Sequence, residues 1–333
     1  MEAGMKVARA FLAAALVALA AATSAGCGGA PTRSTVTAPR AEAHWQDIFE
    51  TTPEVFAVLH PKDLGGDKVF GPLLRRALDV ARDRSRLVAA TRILEVMQNA
   101  DEVVFGVRPS EREGDEPSEE VVVIRGVPGN ADPAKIVDAD GHPLWTPGPM
   151  GAVRELVRDR DEHGHPIAAS LFEMEGLTWV IATGDARARA REIFAHPLGR
   201  PGMTLGQGAL AMIRIDGPSL VKRIRALQPL GGLAAVGRKL GSLTVTLPPG
   251  SEGNVQLTLA YDDEDAAAFS QVAVQQAIEV IGRKRPENLA WMASAKVDRP
   301  DKRVLLSLPL PPRLIDGLLK AGSAPIDFDP SRP

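Results

Sequence analysis

Two histidines and three carboxylates fall within seven residues, Asp159-Arg160-Asp161-Glu162-His163-Gly164-His165. Imidazole nitrogens and carboxylate oxygens are ligands for zinc and other divalent metals. Asp161, His163 and His165 are therefore the candidate metal ligands of the chain. Their spacing argues against that chemistry. The histidines lie two apart across a turn-forming glycine, and no His-Glu-x-x-His pattern puts two imidazoles on one helix face. The segment reads more simply as the polar tip of a hairpin, and no metal or cofactor is expected. A second cluster, Asp262-Asp263-Glu264-Asp265, lacks the spaced oxygen ligands and loop glycine of a calcium site. It precedes a helix, where carboxylates cap free N–H groups and complement the dipole. The glycines of Gly202–Gly208 precede a strand, whereas phosphate cradles follow a strand and open a helix. His44, His60, His142 and His196 are scattered beside turns, the tether or prolines.

Ser219-Leu220-Val221-Lys222 places a hydroxyl and an amine one helical turn apart. The pattern resembles the nucleophile motif of penicillin-binding proteins and serine β-lactamases. The resemblance covers four residues. The family's Ser-x-Asn motif is missing, and Lys320-Ala321-Gly322 echoes its Lys-Thr-Gly motif only at a helix end. Ser219 reads as a first-turn polar residue and Lys222 as a solvated one, so no catalytic residue is assigned.

Composition narrows the remaining classes. The chain has 333 residues, 44% apolar and 24% charged, with a formal net charge of −3. That balance gives no general attraction to nucleic acid. Nine Phe, four Trp and one Tyr are few stacking platforms for bases. A single cysteine excludes an intrachain disulfide and every multi-cysteine metal site. The basic stretches Arg82–Arg86 and Arg187–Arg191 have acidic neighbours and read as solvated, salt-bridged helix faces.

The N-terminus assigns a compartment. Lys6 and Arg9 precede the apolar run Phe11–Ala20, which decays into Ala21-Ala22-Thr23-Ser24-Ala25-Gly26. This is the three-part plan of an export signal, and the run is short for a permanent span of a ~30 Å hydrocarbon layer. Cys27 follows. Ser24-Ala25-Gly26-Cys27 resembles the lipobox of bacterial lipoprotein precursors, although Ser24 stands where that family usually has an aliphatic residue. The resemblance implies that residues 1–26 are removed and that Cys27 becomes a lipidated N-terminus. Plain secretion, with cleavage after Ala22 or Ala25, is the alternative. Residues 27–44 lack apolar periodicity and read as a Pro- and Gly-containing tether. The expected location is exported and lipid-anchored to a bacterial membrane, at its periplasmic face or the cell surface. The expected partners are that membrane, through the lipid, and an envelope protein. Oligomeric state stays open.

The remaining elements form two similar α+β halves, residues 45–197 and 208–321, joined by a linker at 198–207 and followed by a tail at 322–333. Each half reads strand, helix, hairpin, helix, hairpin, helix. The first half has Val55–His60, a broken helix Pro72–Asn99, the hairpin 102–108/120–127, a short helix 131–139, the hairpin 167–175/177–183 and a helix 185–196. An extra strand is expected near Val153–Asp159. The second half has Leu210–Ile215, helical pieces 218–227 and 233–240, the hairpin 243–247/255–261, a helix 265–281, the hairpin 291–297/304–308 and a closing helix 312–321. Leu243-Thr244-Val245-Thr246-Leu247 alternates apolar and polar, the mark of a strand with one wet face. Hairpins predict mainly antiparallel sheet with helices packed on one face.

The function expected from these features is a non-catalytic cell-envelope lipoprotein with a binding or structural role, anchored through Cys27. The alternatives are an exported hydrolase with a site between the halves and a carrier of a small or lipidic ligand.

Overall fold

The computed structural model describes residues 48, 53–75, 95–108, 119–137, 141–143, 145–149, 151, 153–160, 166–174, 177–195, 208–226, 237, 239–250, 253–284 and 290–311. Its strands are β1 (Val55–Leu59), β2 (Glu102–Arg108), β3 (Glu119–Arg125), β4 (Thr146–Pro147), β5 (Arg154–Arg160), β6 (Pro166–Met174) and β7 (Thr178–Thr183). They continue as β8 (Ala211–Asp216), β9 (Leu240–Leu247), β10 (Asn254–Tyr261), β11 (Lys296–Asp298) and β12 (Arg303–Pro309). The helices are α1 (Pro61–Gly66), α2 (Asp185–Ala195), α3 (Gly217–Ala226) and α4 (Glu264–Lys284), with further helical turns at 70–75 and 95–98.

All twelve strands join one antiparallel sheet, in the order β11-β12-β10-β9-β8-β1-β2-β3-β7-β6-β5-β4. The order repeats about its middle. Outward from the β1–β8 seam, β1-β2-β3-β7-β6 on one side matches β8-β9-β10-β12-β11 on the other. At the seam Ala57 faces Ile213, flanked by Val55↔Ile215 and Leu59↔Ala211, as a two-fold relation requires. Cross-strand partners then run Ala57, Phe105, Val122, Ile181, Leu171. The matching run is Ile213, Val245, Leu257, Leu306, Val297. All ten residues are apolar and on one face, so the repeat survives in the ladder although residue identity does not.

The halves differ in how many faces they cover. In the first, Val121-Val122-Val123-Ile124 is buried throughout, as in strands covered on both sides. Val103, Phe105, Val122 and Ile124 pack with Met97, Ile136 and Trp145. Val104, Val121 and Val123 point the other way, onto Ile48 and onto Ala186, Ala190 and Phe194 of α2. In the second half Leu257, Leu259, Val304 and Leu306 pack beneath Ala267 and Val274 of α4. Thr244, Thr246, Gln256 and Thr258 alternate with them onto the opposite face. The expected layer of helices therefore lies on one face of the whole sheet, and α2 adds cover on the other face of the first half. The halves also interlock. Leu64 of α1, with Phe70, Leu73 and Leu74, packs against Leu247 and Val255 of the second half.

Local chemistry sets the helix starts. Asp263 Oδ1 accepts from the Ala266 N–H at 2.7 Å, which makes Asp263 the N-cap of α4. Asp216 Oδ2 accepts from the Ser219 N–H at the start of α3. Gly217 is required there, because a Cβ would lie 1.8 Å from the Leu240 carbonyl oxygen. Asp185 lies inside α2 rather than ahead of it; the Arg187 N–H bonds the Gly184 carbonyl.

Three expectations are corrected. The helix at 131–139 is only the 3-10 turn Pro133–Lys135, after which Ile136 turns extended (φ −88°, ψ 117°). Ala290–Ser294 is also a 3-10 turn, and β11 begins only at Lys296. Ala, Met and Ser supply no β-branched side chain ahead of Val297. Leu240, assigned to a helix, opens β9. The linker 198–207, the closing helix 312–321, the tail 322–333 and most of the helix 72–99 lie outside the described residues.

Candidate functional site

Lys6, Arg9 and Cys27 lie outside the described residues, as do Asp161, His163 and His165. The latter three fall between β5 and β6, where a hairpin tip is expected. Asp159, at the described edge of that cluster, has Oδ1 3.2 Å from Arg187 Nη1. Among the described residues no group of three or more His, Cys, Asp or Glu is placed to hold a metal ion. Of the Ser-x-x-Lys pair, Ser219 sits in the first turn of α3.

The acidic cluster at 262–265 is a helix start in the structure. Lys239 Nζ donates to Asp263 Oδ2 at 2.5 Å. That hydrogen bond raises the pKa of Lys239 and lowers that of Asp263, assisted at Asp263 by the Ala266 N–H. Glu173 has a raised pKa because burial outweighs the attraction of Arg154, its cross-strand partner and hydrogen-bond donor. Burial likewise raises Tyr261, opposed by its hydrogen bond to the Ser270 hydroxyl.

Among the described residues a dense polar assembly lies where α2 crosses β5 and β6. Arg191 Nε donates to both oxygens of Glu155, at 2.7 and 3.0 Å, and Nη2 lies 2.7 Å from Oε1. The Ser170 hydroxyl donates to the same Oε1 at 2.5 Å and accepts from Arg187 Nε at 2.8 Å. One turn of helix separates Arg187 from Arg191, so both reach the sheet side by side. Arg189 reaches Glu119 at 2.6 Å, and its Nε bonds the Ile48 carbonyl. These arginines are salt-bridged, as expected, but Arg189 and Arg191 pair with the largely buried carboxylates of Glu119 and Glu155 instead of lying on a solvated face, whereas Asp159, the carboxylate partner of Arg187, is exposed. Their carboxylate partners come from strands 28 to 70 positions away in sequence, beyond the reach of a local charge count. The Glu155 carboxylate is fully engaged, which suits it to fixing α2 on the sheet rather than to proton transfer.

A different surface presents apolar groups. Among the described residues the exposed large hydrophobic side chains are Leu177, Phe269, Val272 and Val280, and the last three belong to α4. They are 57%, 51% and 47% exposed. At 3.6 residues per turn, positions 269, 272, 273, 276 and 280 share an arc of roughly 100°. Ala267, Ser270 and Val274 lie on the opposite, sheet-facing side. No charged residue occurs from Ala266 to Ile278. The sequence carries this signal openly, but core periodicity alone identifies the helix and passes over its second apolar stripe. No helix among the described residues is long and apolar enough to cross a membrane.

No protein-family model matches the chain, and no curated protein matches it. A solved structure described as "Structure of crystal form I of TP0453" is similar over 86% of this chain and 100% of its own. The identity is 8% and the TM-score 0.46.

Proposed function

We propose that the chain is an exported bacterial lipoprotein, anchored through Cys27, whose body has a non-catalytic binding or structural role at the cell envelope. The observation that carries this reading is the placement of the sole cysteine. It follows a basic start, a short apolar run and Ser24-Ala25-Gly26. Cleavage before Cys27 and acylation of its thiol would give a membrane-attached body, firmly held when two or more chains are present, at about 0.8 kcal/mol per buried methylene. Ile48 supports the arrangement. It is buried, and its carbonyl accepts from Arg189, so a residue of the body is fixed on α2 soon after the tether expected at 27–44. Anchoring raises the effective concentration of the body toward neighbours in the same membrane. The non-catalytic part of the reading is supported by the engagement of Glu155, Asp159 and Glu119 in ion pairs.

The test is metabolic labelling with palmitate, followed by fractionation of cells producing the wild type or Cys27→Ser. The wild type takes up label and stays with membranes after a carbonate wash, whereas Cys27→Ser takes up none and leaves the membrane fraction. An unlabelled, uncleaved wild-type chain in the cytosol overturns the proposal.

A further inference from the structure

We infer that the outer face of α4 is a second membrane contact, which lays the second half of the body on an anionic lipid surface. The inference rests on the proposed anchoring, but α4 itself supplies the observations. The helix is apolar on two opposite sides. Ala267 and Val274 are used by the sheet; Phe269, Val272 and Val280 are about half exposed. Thirteen consecutive residues, Ala266 to Ile278, lack the charges that normally solvate an outward helix face. Gln275 and Gln276 are the polar groups exposed within this stretch, and both are neutral.

The occupant follows from size and charge. Three half-exposed side chains offer far less than the ~1,000 Å² of a stable protein interface. Shallow burial at the headgroup–acyl boundary asks only for a narrow apolar stripe. Beyond Glu279 and Val280, after Ile281-Gly282, the sequence reads Arg283-Lys284-Arg285. Such a basic run beside an amphipathic helix is attracted to anionic headgroups. The acidic residues Asp262, Asp263, Glu264 and Asp265 stand at the other end of α4. The helix would therefore be polarised along its length, with its basic end held at the headgroups.

The experiment uses the mature chain carrying Cys27→Ser, so that no acyl group contributes, mixed with sedimentable vesicles of phosphatidylethanolamine and phosphatidylglycerol. Binding to these vesicles is expected, with loss on removing phosphatidylglycerol or adding salt. Phe269→Asn/Val272→Asn should weaken the partition constant about tenfold or more, while thermal melting shows the fold retained. Lys284→Gln, which leaves the stripe intact, should weaken binding to phosphatidylglycerol vesicles specifically. Vesicle binding that is absent, or unchanged in the double variant, overturns the proposal. So does a self-association that the double variant abolishes in the absence of lipid, since the stripe would then face a second copy. Palmitate labelling of Cys27 is a separate readout, so failure of the anchor and failure of this face are told apart.

Discussion

Glu155 shows how a single buried charge organises its surroundings. Its side chain is 5% exposed, and Arg191 and Ser170 together satisfy it. A buried ion pair is weak evidence for net stability, but removing one partner leaves the other desolvated and unpaired. Arg191→Ala should therefore lower the free energy of unfolding by about 2–3 kcal/mol, the low end for a buried pair because the arginine meets solvent on one edge. Urea unfolding measures this. A loss below half a kilocalorie would mean that Arg187 or water takes over the carboxylate. Glu155 was not legible in the sequence as a buried group. In Arg154-Glu155-Leu156-Val157-Arg158 each face of the strand mixes polar and apolar residues, so alternation marks neither face as buried, and the helix that packs over Glu155 begins only at Asp185.

At the scale of elements, turns and helix starts are local signals, whereas what packs around them is not. The turn residues Pro248 to Gly253 placed the β9–β10 hairpin, and the acidic cluster placed the start of α4. Short 3-10 turns escaped because Ala290–Ser294 carries neither helical nor strand periodicity over enough residues to count. The cap of α4 makes a pH-dependent prediction. The pKa of Asp263 is lowered, chiefly by the Lys239 hydrogen bond. Its ionised form therefore favours the folded state above the unfolded carboxylate pKa, near 3.9, and the benefit disappears as pH falls through the lower folded value. Asp263→Asn keeps an oxygen to cap Ala266 but loses the charge. Its melting temperature should fall slightly below the wild type at pH 7 and meet it once the pH lies below the lowered folded-state value. A gap that persists in acid would assign the effect to the cap instead.

Across the whole molecule, two similar halves form one continuous sheet. The sequence carries the order of elements in each half, but nothing in it specifies that β1 and β8 pair. That pairing joins segments more than 150 positions apart, and only their apolar character, Val55–Leu59 and Ala211–Ile215, is visible locally. Because β1 is shared and α1 packs on the second half, unfolding should occur in one transition, with calorimetric and van't Hoff enthalpies in agreement. Two resolved transitions would show instead that the seam is a weak boundary. The outer limits of the sheet have a different consequence. One rim ends in two-residue β4, where Pro147 has no N–H to give, and the other in three-residue β11 with Lys296 and Asp298. Strands this short give a neighbouring chain little to pair with. A solution crowded with copies of so broad an open sheet would otherwise be a template for fibrils; short rims disfavour that zipping.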